Sequence, residues 1–127
     1  MNLAIHTSAY SEVPLPKALS RIAHTGYEAI EIAADISESR HFEAHSAMKD
    51  DVAKLRRLLT NHDLKLAAID IGGWDPELCI ANLDETARTS AVRNVEHAIS
   101  VTGDLGCRLV TAHLWGLPAE GSRERAG

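Results

Sequence analysis

The sequence predicts an α/β domain of parallel βα repeats, with about four strands and three helices. Three observations carry this. Short apolar runs alternate along the chain with segments whose apolar residues recur at spacings of three and four. Proline, glycine and capping residues stand at the boundaries. Within each apolar run, the two alternating sets of positions differ in kind. Strands alternating with helices of this length form βαβ units, and so a parallel sheet with right-handed crossovers.

The elements follow in order. "NLAIHT" (Asn2–Thr7) reads as the first strand. "PLPKALSRIAHTGY" reads as the first helix, with Leu15, Leu19, Ile22 and Ala23 on one face. Pro16 suits its first turn and Gly26 its left-handed stop. "EAIEIAAD" (Glu28–Asp35) is the second strand, and a polar loop follows it. The second helix is expected from about Ala47 to Asn61, with Met48, Val52, Leu55 and Leu59 inward. "LKLAAIDIGG" (Leu64–Gly73) is the third strand. Asp84 is placed to cap a third helix carrying Val92, Val95, Ala98 and Ile99, which ends between Gly103 and Gly106. "RLVTAHL" (Arg108–Leu114) is the fourth strand. No Gly-rich phosphate loop follows the first strand, which weakens a dinucleotide-binding sheet. The repeats fit either an open doubly wound sheet or half of an eight-stranded barrel.

Composition narrows the classes. A chain of 127 residues, 45% hydrophobic, is one domain's worth and can bury a core. With two Trp, two Tyr and one Phe, that core is aliphatic. A formal charge of −5 argues against nucleic acid or an anionic membrane as partner, and Arg123 and Arg125 are too few to reverse it. Cys79 and Cys107 match no zinc or redox spacing and read as buried thiols in a reducing compartment. No apolar run approaches the ~18 residues that a membrane span needs, and no signal-peptide pattern opens the chain. A cytoplasmic protein is expected.

Splitting each strand by parity gives the strongest functional signal. Leu3 and Ile5; Ile30 and Ile32; Ala67, Ile69 and Ile71; and Val110, Ala112 and Leu114 fall on faces that hold most of the bulky branched residues and suit packing under helices. The opposite set is Ala4 and His6; Ala29, Glu31 and Ala33; Leu66, Ala68 and Asp70; and Leu109, Thr111 and His113. It is mostly small, with one titratable group toward each C-terminal end: His6, Glu31, Asp70 and His113. Buried unpaired charges are costly, and parallel α/β folds collect ligands at the C-terminal ends of their strands. A helix-facing exterior and a narrow interior favour the barrel over the open sheet. A β-bulge in any strand would invert this parity. In such a pocket, His6 or His113 can carry a proton or bind a hydroxyl. Glu31 and Asp70 can accept from substrate hydroxyls or act as acid or base. Trp115 can wall the pocket. His41 and His45, four apart, form a weaker candidate for gripping a metal, while His24, His62 and His97 read as surface residues.

"LAIHTSAY", "ALSRIAHTGYEAIEI", "LRRLLTNHDLKLAAI" and "VRNVEHAISVTGDLGCRLVTAHLWG", in this order and spacing, resemble the N-terminal half of the sugar phosphate isomerase/epimerase family, the xylose isomerase-like TIM barrels. The resemblance runs from about Leu3 to Gly116. It implies a divalent metal at the barrel mouth (Mg, Mn, Co or Zn). It also implies a small carbohydrate substrate that is isomerised or epimerised by proton abstraction beside a carbonyl. Glu31 matches the family's acidic residue at the second strand, and His113 a polar position at the fourth. Glu31 and His113 are therefore the catalytic candidates. His6 lies where first-strand residues line the pocket, Asp70 corresponds more weakly, and with Trp115 these are the substrate-binding candidates. The family's main metal ligands and catalytic glutamates lie on later strands, so no metal ligand carries over.

A full barrel needs about 250 residues. Residues 1–117 are therefore expected to form half a barrel, with 118–127 as a disordered polar tail. A truncated gene product is the simplest expectation; a homodimer closing the barrel and a rearranged open sheet are the alternatives, and a lone monomer should fold poorly. An inactive binding or self-association module is the runner-up function. A barrel-type metal-dependent endonuclease comes third, disfavoured by the negative charge.

Overall fold

The computed structural model describes residues 3–34, 41–72 and 77–113. Within them lie four strands and three helices: β1 (Ala4–His6), α1 (Leu15–His24), β2 (Ala29–Ala33), α2 (Lys49–Asn61), β3 (Lys65–Asp70), α3 (Glu85–Asp104) and β4 (Val110–Thr111). The strands form one parallel sheet in the order β1-β2-β3-β4. Sequential order without reversal is the arrangement of a barrel wall, whereas a doubly wound sheet reverses at a switch point. The half-barrel expectation for strand and helix number is met. Trp115 and the expected tail, 118–127, lie outside the described residues.

One side of the sheet carries the core. Leu15, Leu19 and Ile22 of α1, Leu55 and Leu59 of α2, and Ile30 and Ile32 of β2 form a single buried cluster. Ile69, Ile71 and Ala98 continue it beneath α3. Pro16 sits in the first turn of α1, where its missing N–H costs nothing. Gly26, at φ +86°, follows the C-cap Thr25, and Gly106, at φ +78°, ends the turn after α3. No side chain crowds either glycine, so backbone conformation alone selects the residue. Asp84 caps α3 as expected, its Oδ1 accepting from the Ala87 N–H at 2.7 Å.

Three expectations are corrected. Met48 is the N-cap of α2 and 69% exposed; the helix instead starts with the Asp51 carboxylate accepting from the Met48 N–H. The buried stripe of α3 is Ala91, Ala98, Val101 and Thr102, while Val92 and Ile99 are 41% and 52% exposed. That stripe is mostly small, and the bulkier pair faces outward. In β3, Leu66 packs into the core rather than facing inward with Ala68 and Asp70. The register gives the reason: Ile30 pairs with Leu66 but Glu31 with Ala68, so Ala67 is an extra, bulged residue. Its carbonyl accepts from the Cys107 thiol at 3.4 Å. Both cysteines are buried, as read from their spacing.

Candidate functional site

The face of the sheet opposite the helices bears His6, Glu31, Asp70 and Thr111, each half-buried and each at or near the C-terminal end of its strand. His6 and Glu31 are lateral neighbours across β1 and β2, and Asp70 and Thr111 across β3 and β4. Their side chains, however, bond one strand further on. His6 Nε2 reaches Asp70 Oδ2 at 3.2 Å, spanning β2, and the Thr111 hydroxyl donates to Glu31 Oε1 at 2.6 Å, spanning β3. Strands two apart in a sheet are separated by roughly 10 Å. Hydrogen bonds across that gap fit a sheet that curls toward this face. Alternate strands supply alternate layers of side chains in a closed barrel. The odd strands here give the His6–Asp70 layer and the even strands the Glu31–Thr111 layer.

Each layer is held from below. His6 ends β1 and caps the short 3-10 turn Thr7–Tyr10, its Nδ1 accepting from the Ser8 N–H at 3.2 Å, with Ser8 Oγ 2.6 Å away. An Nδ1 that accepts leaves the proton on Nε2, which therefore donates to Asp70. The other oxygen of Asp70 accepts from the Gly72 N–H at 3.0 Å. Thr7, fully buried, accepts from the Ala33 N–H at 2.9 Å and ties the end of β1 to the end of β2. Ser8, Thr7 and Thr111 were given no role in the sequence reading. Thr111 falls on the inward parity of β4, the one signal that could have found it; for Ser8 and Thr7 there was none.

The other expected residues are placed differently. His113 has its backbone N–H on the Gly72 carbonyl at 2.6 Å, but its side chain is exposed and bonds none of the other three. Trp115 lies outside the described residues. His41 and His45 sit before α2, not within it, and do not share a target. His41 Nε2 donates to the Val13 carbonyl at 2.9 Å, and His45 Nε2 stands 4.0 Å from Glu77. His24 and His97 bond backbone carbonyls of Ser20 and Ala47. A cavity of about 550 Å³ between α1 and α2, lined by Leu15, His41, Phe42, Asp51, Lys54 and Leu58 among others, touches none of the inner-face groups.

A model of the xylose isomerase-like TIM barrel family matches residues 19–126. The chain belongs to that family. Among solved structures, a xylose isomerase-like TIM barrel protein from Mycobacterium smegmatis in complex with magnesium aligns at a TM-score of 0.66 and 12% identity, covering 99% of this chain and 41% of that one. A xylose isomerase-like TIM barrel/4-hydroxyphenylpyruvate dioxygenase fusion protein aligns at a TM-score of 0.55 and 18% identity, covering 88% of this chain and 16% of that one. The chain thus spans less than half the length of either structure. No curated protein matches it. These likenesses establish the barrel fold. Among the described residues, no three His, Cys, Asp or Glu side chains come together to hold a metal. Asp70 is engaged at both oxygens and Glu31 at one among the described residues. No helix among the described residues is long and apolar enough to cross a membrane.

Proposed function

We propose that this chain forms the first wall of a sugar or sugar phosphate isomerase/epimerase, in which a proton is moved beside a carbonyl of a small carbohydrate. The observation that carries the reading is the convergence of His6, Glu31, Asp70 and Thr111 on one concave face at the C-terminal ends of four parallel strands. Glu31 is the proton carrier. The His6–Asp70 pair binds substrate hydroxyls. Family membership supports this chemistry, and the magnesium complex of the mycobacterial neighbour supports a divalent ion in the complete barrel. The test is solvent deuterium incorporation at the carbon beside the carbonyl of a panel of keto- and aldo-sugars. Exchange should be present in the wild type and lost in Glu31→Gln. Absence of exchange from every sugar overturns the reading.

A second reading, self-association, has its own observation. Leu3 and Leu109 are 55% and 53% exposed, and β1 and β4 each pair on one side only among the described residues. Unpaired edges and exposed leucines favour a second copy closing on the first. Sedimentation equilibrium decides this: a dimer that Leu109→Asp dissociates supports it, and a monomer at all concentrations overturns it.

A further inference from the structure

We infer that Thr111 is a positioning residue for Glu31, fixing Oε1 and thereby presenting Oε2 as the oxygen that takes the substrate proton. The inference rests on the proton-transfer reading above. It begins from a difference between the two inner-face carboxylates. Asp70 has both oxygens bonded, Oδ2 by His6 and Oδ1 by the Gly72 N–H. Glu31 has one bonded, to Thr111. Its Oε2 has no partner among the described residues, yet it is not among the buried polar atoms left unbonded, which are Nδ1 of His41 and Nδ1 of His45. Oε2 is therefore open to the interior, and of the two carboxylates Glu31 alone has an oxygen ready to accept.

The partner is suited to hold it. At 2.6 Å the contact has the length of a hydroxyl bonded to a charged carboxylate. Thr111 is anchored through its carbonyl, which accepts from the Ile71 N–H at 3.0 Å, and it pairs in register with Asp70. Its β-branched side chain has little freedom at χ1. Glu31 rises from β2, the strand flanked on both sides by β1 and β3. A stiff donor on one strand thus restrains the long, flexible side chain of another. Catalytic geometry is sensitive to this, since a displacement of about 1 Å can cost on the order of 100-fold in rate.

The step balances without further reactants. The C–H bond beside the substrate carbonyl breaks and its proton goes to Glu31 Oε2. The electron pair becomes the C=C bond of the enediolate while the carbonyl π pair moves to oxygen. Within the cis-enediolate the neighbouring hydroxyl proton passes to that oxygen, and the oxygen it leaves forms the new C=O. The C=C pair takes the first proton back from Glu31 at the former carbonyl carbon, giving the isomer. The Thr111 hydroxyl keeps its own proton throughout.

The experiment compares Thr111→Val and Thr111→Ser in the full chain by two readouts, with circular dichroism as the check on folding. The first is deuterium exchange. Thr111→Val should lower kcat by roughly 10- to 100-fold with KM little changed, and Thr111→Ser should restore it. The second needs no activity: the ¹³C signal of the Glu31 side-chain carboxyl, assigned by its loss in Glu31→Gln, should move in Thr111→Val and return in Thr111→Ser. An unmoved carboxyl signal in Thr111→Val overturns the inference, as does a shifted signal with unchanged kcat. A wild-type chain that exchanges no deuterium defeats the proposed function, and the assignment of Oε2 falls with it. The hold of Thr111 on Glu31 is then decided by the carboxyl signal alone. Should Thr111→Val fail to fold, an unmoved signal and unchanged kcat in a folded Thr111→Ala overturn the inference equally.

Discussion

The two faces of the sheet are made by the same strands and do opposite work. Toward the helices, Ile30, Ile32 and Ile69 are fully buried among leucines of α1 and α2 and beside Ala98 of α3. Toward the interior, His6, Glu31, Asp70 and Thr111 stay half-buried and bond to one another. Alternation along a strand separates these roles by a single residue: Glu31 lies between Ile30 and Ile32. A large side chain removed from the first face leaves a cavity; a polar group altered on the second changes chemistry while leaving the packing beneath in place.

The comparison can be broken most forcefully in the core. Ile32→Ala should lose about 2–5 kcal/mol of stability, read from the shift in urea midpoint at unchanged slope. Its neighbour on the other face should behave in reverse. Glu31→Gln should reduce deuterium exchange by on the order of 100-fold while shifting stability by less than about 1 kcal/mol. A Glu31→Gln loss of stability as large as that of Ile32→Ala would erase the distinction between the faces. Thr7 sharpens it from the boundary, being buried yet polar. Thr7→Val keeps the shape but strands the Ala33 N–H, and should cost about 1–3 kcal/mol by the same denaturation measurement. At the small end, Ile99→Ser on the exposed side of α3 should stay within about 0.5 kcal/mol of wild type. A larger loss would mean that this side is covered.

Much of this division was legible from parity. Ile5, Ile30, Ile32, Ile69, Ile71 and Val110 pack on the helix side as their positions imply, while Leu3, Ala67 and Ala112, assigned there by the same alternation, are exposed. His6, Glu31 and Asp70 share the inner face. Parity failed at Leu66 because an inserted residue cannot be told from a regular one in a run of six apolar or long side chains. Helical spacing was right in part along α3: Val95 and Ala98 pack toward the core, while Val92 and Ile99 are exposed and Ala91, Val101 and Thr102 are buried instead. The bonds within the site were beyond any local pattern, since His6 and Asp70 stand 64 positions apart and Glu31 and Thr111 stand 80 apart. Only the curl of the sheet brings them together. His113 falls on the inward parity of the fourth strand, but a strand that ends at Thr111 leaves its side chain outside the bonded layers.

The bulge at Ala67 gives β3 a slack that β2 lacks. With that residue removed, ordinary alternation would still send Leu66 and Ile69 outward and Ala68 and Asp70 inward, so the strand can shrink by one without reversing any remaining side chain. The same deletion inside β2 would swing Glu31 under the helices or pull an isoleucine into the interior. Length differences between this chain and other barrels of its kind should therefore gather at Ala67 and be absent between Ala29 and Ala33.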